Sequence, residues 1–137
     1  MHVIAGKAVC AEEALMPEYK EYIEQVVYNT KMMCEAFKFL GYKIVTDGTD
    51  NHLFLIDLTS NFPTLSGREV QDFLDTKGIT LNKNCIPNEK RSPMEASGLR
   101  IGCAAMTTKG WDAQRFVYAA QDIDEYIKEL ATSKEKN

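Results

Sequence analysis

The sequence predicts an α+β domain: a small, mainly antiparallel sheet with helices packed on one face, preceded by a long helix of interdomain type. Three observations carry this. Apolar residues recur at steps of three and four near both ends of the chain, which is helical spacing. The middle holds short β-prone runs separated by turn signals. A helix start, the S-x-x-E capping box of Ser66 and Glu69, lies among those runs, so strands and helices alternate along the chain.

The elements follow in order. From Val3 to Leu15 the residues are helix formers, and Ala5, Ala8, Ala11 and Ala14 make a stripe of small side chains. Such a stripe lets another backbone approach closely, so residues 1–16 are expected to serve as a seam against a partner domain. Pro17 suits the first turn of a second helix, where its missing N–H leaves no bond unmade. Tyr22, Val26, Thr30, Met33, Phe37 and Leu40 continue that helix to Gly41, a natural stop. Lys43–Thr46 reads as a short strand, and the cluster around Asp47-Gly48 as a turn. His52–Leu58 is nearly all apolar and is expected to be a central strand buried on both faces. A helix starts at Ser66 and ends at Gly78. Ile79–Leu81 reads as a strand, 82–96 as a proline-bearing loop, and Leu99–Gly102 as the last strand. A final helix spans about Asp112 to Leu130. Residues 17–131 thus form the small domain, and 132–137 a charged tail expected to fray.

Composition narrows the function. The 16 basic and 20 acidic residues give a net charge of −4 with no basic stripe, which argues against nucleic acid as a partner. No apolar run approaches a membrane span and no export signal opens the chain, so a cytoplasmic protein is expected. Cys10, Cys34, Cys85 and Cys103 form no CxxC pair, and His2 and His52 are far from them in sequence. Reduced, packed thiols are expected in place of a metal site. The glycine-rich phosphate loops and the G-x-S-x-G nucleophile motif are absent.

Two patterns could carry binding chemistry. In Ser97-Gly98-Leu99-Arg100-Ile101-Gly102, strand alternation puts Arg100 on the face opposite Leu99 and Ile101, between two glycines. Open space around a guanidinium suits a small anion, gripped by two parallel hydrogen bonds. The alternative is an arginine paired with a nearby carboxylate. In Asn82-Lys83-Asn84, two amides and an ammonium at a strand end could meet a heteroaromatic ring, or the asparagines could simply close the strand. His52, after Asp50-Asn51, could be an acid–base group or a hydrogen-bonded structural histidine. No lysine stands out as a Schiff-base candidate.

These segments resemble one family. His2-Val3-Ile4-Ala5-Gly6-Lys7-Ala8-Val9 is similar to the HVIAAKAV segment of serine hydroxymethyltransferases, and Thr49-Asp50-Asn51-His52-Leu53 to their TDNHL. Gly78–Asn84 is similar to GITVNKN, Ser97–Gly102 to SGIRxG, and Thr107-Thr108-Lys109-Gly110 to TTRG. The order and spacing are kept along almost the whole chain. The resemblance implies the C-terminal domain of a fold-type I pyridoxal phosphate enzyme. That enzyme interconverts serine and glycine, passes a one-carbon unit to or from tetrahydrofolate, and assembles as a homodimer or homotetramer. It implies that Arg100 clamps the amino-acid carboxylate and Asn84 hydrogen-bonds the folate pterin, with Ser92 and Arg91 in the loop approaching the folate. The family's cofactor-binding large domain, with its Schiff-base lysine, precedes the histidine matched by His2. The chain is therefore expected to be a fragment, inactive alone and without bound pyridoxal 5'-phosphate; the alternative is a non-catalytic assembly or binding module retaining the family fold. Cys103-Ala104-Ala105 stands where the family usually reads threonine-proline-alanine, and Cys10-Ala11-Glu12 where it reads alanine-phenylalanine-glycine.

Overall fold

In the computed structural model, which describes residues 1–136, helices and strands alternate as expected. The order is α1 (His2–Leu15), α2 (Pro17–Phe39), β1 (Lys43–Ile44), β2 (Leu53–Asp57), α3 (Gly67–Thr76), β3 (Asn82–Asn84), β4 (Gly98–Gly102), α4 (Ala104–Thr108) and α5 (Ala113–Glu135). The strands form one antiparallel sheet in the order β1-β2-β4-β3. This is the α+β architecture read from the sequence.

Strand alternation gives the sheet two unlike faces. Phe54, Ile56, Leu99 and Ile101 point to one side and are fully buried. There they join Met33 and Phe37 of α2, Val70 and Leu74 of α3, and Phe116, Ala120, Ile123 and Ile127 of α5 in one core. Each of these side chains larger than alanine contributes about 1.5–3 kcal/mol by leaving water. On the other side Leu53 and Leu55 are half-exposed. β2 is central as expected, but it is buried on one face only.

Local chemistry fixes the element ends. Met16 is extended (φ −74°, ψ 144°) and Pro17 opens α2 directly behind it, so α1 and α2 are separate helices. Gly41, in the left-handed region at φ 89°, closes α2, with the Tyr42 N–H returned to the Phe37 carbonyl. The expected strand over Lys43–Thr46 stops at Ile44, because Thr46 (φ 65°) and Asp47 (φ 56°) turn the chain left-handedly. At α3 both halves of the capping box form: the Glu69 N–H donates to Ser66 Oγ (3.2 Å) and the Ser66 N–H to Glu69 Oε2 (2.8 Å).

Further differences from the sequence reading lie downstream. The strand expected at Ile79–Leu81 lies three residues later, at Asn82–Asn84, inside the segment expected to be loop. Gly78 (φ 79°) and the Ile79 N–H, bonded to the Leu74 carbonyl, are used to finish α3, so pairing begins only at Asn82. A short helix, α4, follows β4; its Thr107 is held by Asn29 of α2, whose Nδ2 donates to Thr107 Oγ1 (3.0 Å) and to the Trp111 carbonyl (3.1 Å). Finally, α5 continues past Leu130 to Glu135, where the Lys134 ammonium meets the Thr64 carbonyl (2.9 Å) and the Glu69 carboxylate.

Cys34 and Cys103 are buried in the core, whereas Cys10 and Cys85 are exposed, so the packed-thiol expectation is corrected for those two. Among the described residues no three His, Cys, Asp or Glu side chains gather as a metal site, and no helix is long and apolar enough to cross a membrane.

Candidate functional site

The uncovered face of the sheet carries the polar residues singled out in the sequence. Antiparallel register sets Arg100 of β4 opposite Asn82 of β3 and Leu55 of β2, and sets Asn84 opposite Gly98. Directly opposed residues share a face, and so do residues two apart on one strand. Arg100, Asn82 and Asn84 therefore lie on one surface, with Asn84 the diagonal neighbour of Arg100. The edge strand that supplies the asparagines is secured by α3, where Gln71 Oε1 accepts the Lys83 N–H (2.9 Å).

Arg100 is exposed, and its Nη2 donates to Asn82 Oδ1 at 3.0 Å. Among the described residues no carboxylate pairs with it, so the ion-pair alternative does not apply here. A neutral amide orients the guanidinium without neutralising it, and the charge stays available to an anion. Beside it is an open cleft of about 290 Å³ lined in part by His52, Thr80, Asn82, Arg100 and Gly102.

The open space arises differently from the simple strand argument. A Cβ on Gly102 would meet nothing closer than 3.5 Å, so that side is free. A Cβ on Gly98 would meet Ile86 Cγ2 at 2.6 Å, the Ile56 carbonyl oxygen at 2.8 Å and that of Asn84 at 2.9 Å. Gly98 is thus required for close packing, and the cleft opens on the Gly102 side alone.

His52 is exposed at the cleft rim, and its carbonyl accepts the Cys103 N–H (3.0 Å). The preceding turn is tied by its own side chains: Asn51 Oδ1 accepts the Leu53 N–H (2.9 Å), and Thr49 Oγ1 donates to the Leu53 carbonyl (2.5 Å). A larger groove of about 700 Å³ lies between this turn and α2. Ion pairs link the turn to α2, Lys31 with Asp50 beside the groove and Lys38 with Asp47.

The sequence pattern described as serine hydroxymethyltransferase matches residues 1–123. Proteins named serine hydroxymethyltransferase from two strains of Borreliella burgdorferi, ZS7 and B31, are each 49% identical to the chain over 128 residues, which is 93% of it. The chain belongs to the serine hydroxymethyltransferase family. It spans 30% of the length of these relatives.

The other two residues that the family resemblance singled out make hydrogen bonds within the chain. Arg91 is half-buried, and its guanidinium is committed to the protein: Nη1 donates to Ser97 Oγ (3.1 Å) and Nη2 to the Pro63 carbonyl (2.7 Å). Ser92 shapes a turn, its Oγ accepting the Met94 N–H (3.2 Å) and its carbonyl the N–H groups of Glu95 and Ala96. Neither residue hydrogen-bonds to Arg100, Asn82 or Asn84.

One pairing and one residue escaped the sequence reading. Asn82 is the partner of Arg100, and only the register reveals it. Glu89 is the hub of the loop between β3 and β4; burial pushes its carboxyl up, but the Ser97 hydroxyl and the backbone N–H groups of Arg91, Ile86 and Ser97 outweigh that and hold it at about 2. The one available signal was its position after Asn88, which turns left-handedly (φ 58°).

Proposed function

We propose that this chain is the C-terminal domain of a pyridoxal phosphate-dependent serine hydroxymethyltransferase, which interconverts serine and glycine with transfer of a one-carbon unit to or from tetrahydrofolate. The observation that carries the reading is the Arg100 guanidinium on the open sheet face, oriented by Asn82 and unpaired with any described carboxylate. In this reading Arg100 receives the carboxylate of serine or glycine through its planar fork. Asn84, on the same face, offers its amide to the pterin edge. Arg91 and Ser92 act through the shape of their loop. Pyridoxal phosphate belongs to the part of the enzyme outside this chain, and every step assigned here is one of binding or orientation. The enzyme is proposed to be cytoplasmic and to work as a homodimer or homotetramer, with α1 lying against the rest of the assembly.

A hybrid enzyme tests the reading. The matching segment of the Borreliella burgdorferi relative is exchanged for this chain, and serine cleavage with tetrahydrofolate is measured. The hybrid is expected to be active, and Arg100→Ala to lower kcat/KM for serine about 100-fold or more, the loss of a bidentate charge-assisted contact. An active hybrid indifferent to Arg100→Ala would remove the carboxylate assignment. The chain alone, mixed with pyridoxal phosphate, is expected to show no lysine-dependent absorbance band.

The second reading, a non-catalytic assembly module, is favoured by one observation, that α1 buries none of its residues. A well-defined dimer of the isolated chain in sedimentation would support it. A monomer favours the enzyme domain.

A further inference from the structure

We propose that Glu89 is a positioning residue for the folate contact of Asn84. The inference rests on the reading above, in which Asn84 meets the pterin.

Residues 85–97 join β3 to β4 without regular structure, and a loop of this length needs something to define its path. Glu89 supplies it. Its Oε1 accepts from the N–H groups of Lys90 and Arg91 (both 2.9 Å) and from the Ser97 hydroxyl (2.6 Å). Its Oε2 accepts from the N–H groups of Ile86 (3.3 Å) and Ser97 (2.8 Å). One carboxylate thereby ties the start of the loop to its end. Arg91 adds a second clasp by bridging Ser97 and the Pro63 carbonyl.

The tie falls next to Asn84. Ile86 is two residues beyond it, and Ser97 immediately precedes Gly98, its register partner. The Asn84 side chain donates from Nδ2 to the carbonyl of Cys85 at 2.8 Å. The orientation of that amide therefore depends on the peptide between Asn84 and Ile86, which Glu89 holds through the Ile86 N–H. Breaking the tie frees the Cys85 carbonyl to rotate and releases the amide with it. The depressed carboxyl of Glu89 agrees with a charge fixed by these donors.

Arg100 is held by other means. It sits in mid-strand between β2 and β3, and its guanidinium is oriented by Asn82, ahead of the loop. Loss of Glu89 should therefore separate the two halves of the site. The folate contact is weakened while the carboxylate clamp is kept.

The experiment measures both substrates in the hybrid holoenzyme described above. Glu89→Ala is expected to raise KM for tetrahydrofolate about tenfold while KM for serine stays within about twofold, one charge-assisted contact being worth roughly that much. Glu89→Asp, which keeps the carboxylate one methylene short, should recover most of the loss. Amide exchange on the chain itself provides a readout independent of activity: Glu89→Ala should speed exchange at Ile86, Arg91 and Ser97 and leave Leu99 and Ile101 protected. An equal rise in both KM values, or no change in KM for tetrahydrofolate with the loop amides loosened, overturns the positioning role. Asn84→Ala serves as the reference. If it too leaves KM for tetrahydrofolate unchanged, the folate reading falls and takes the positioning role with it.

Discussion

Exposure divides the reactive side chains of this domain into two groups, and the thiols show it most directly. Burial pushes the Cys103 thiol up to about 11, and burial also raises that of Cys34. A raised value means that the thiolate, the reactive form, is scarce at neutral pH, and both sulfurs are closed off from reagents by the core. Cys103 lies 3.7 Å from the Met33 sulfur, packed as a small hydrophobic residue. Cys10 and Cys85 are open to solvent. Titration of the native chain with an aromatic disulfide at pH 8 should show two fast thiols, followed by two that appear only on unfolding. Cys10→Ser with Cys85→Ser should abolish the fast phase. A fast phase that survives the double substitution would mean that the core opens around Cys34 or Cys103. Sequence could not sort these four residues, because Cys10 sits in an apolar stretch that reads as packed, whereas α1 buries none of its residues.

At the scale of elements, β4 and the loop before it set the site, and Gly98 is their tightest point. A methyl there would meet two backbone carbonyl oxygens below 3.0 Å, and backbone of paired strands cannot move aside. Gly98→Ala is expected to destabilise the domain by about 2–4 kcal/mol, at the upper end of overpacking costs, measured as a shift of the urea midpoint with unchanged slope. Gly102→Ala, with only ordinary contacts, should stay within about 0.5 kcal/mol. Equal effects at the two glycines would refute the packing argument. The pair also shows what the pattern around Arg100 could and could not say. Alternation correctly put Arg100 opposite Leu99 and Ile101, because strand geometry is local. Which glycine makes room for a ligand is decided by Asn84 of β3 and Ile86 of the loop after it, and no local rule contains that. Helix starts were legible for the same reason: Ser66 and Glu69 cap α3, and Asp112 caps α5 by accepting the Arg115 N–H (2.9 Å), all within one turn. The placement of β3 was not, since the end of α3 and the register against β4 compete for residues 79–81. Glu89 stayed hidden because a carboxylate before Lys90-Arg91 reads as a solvated charge, whereas its partners are backbone groups up to eight residues away.

For the whole molecule, the decisive contrast is between α1 and everything after it. Residues from Val26 onward build a continuous core, while α1 buries no residue and leaves Val3, Ile4, Val9 and Leu15 between 53% and 88% exposed. A helix of 14 residues with no side-chain N-cap and no tertiary cover is marginal in water, since helical stability in proteins comes mostly from packing. The sheet and the other helices should therefore hold together without it. Removal of residues 1–15 is expected to change the unfolding free energy of the isolated chain by less than about 1 kcal/mol and to leave the denaturant slope nearly unchanged, because that slope follows the surface buried on folding. Urea titrations of the two chains, followed by the fluorescence of Trp111, measure both quantities. The same deletion in the hybrid enzyme should be severe, because in the proposed reading α1 lies against the rest of the assembly. A large loss of stability in the isolated chain would instead make α1 part of the domain's own fold. The seam would then have to be sought elsewhere, first on the open face of the sheet where Leu53 and Leu55 remain half-exposed beside Arg100.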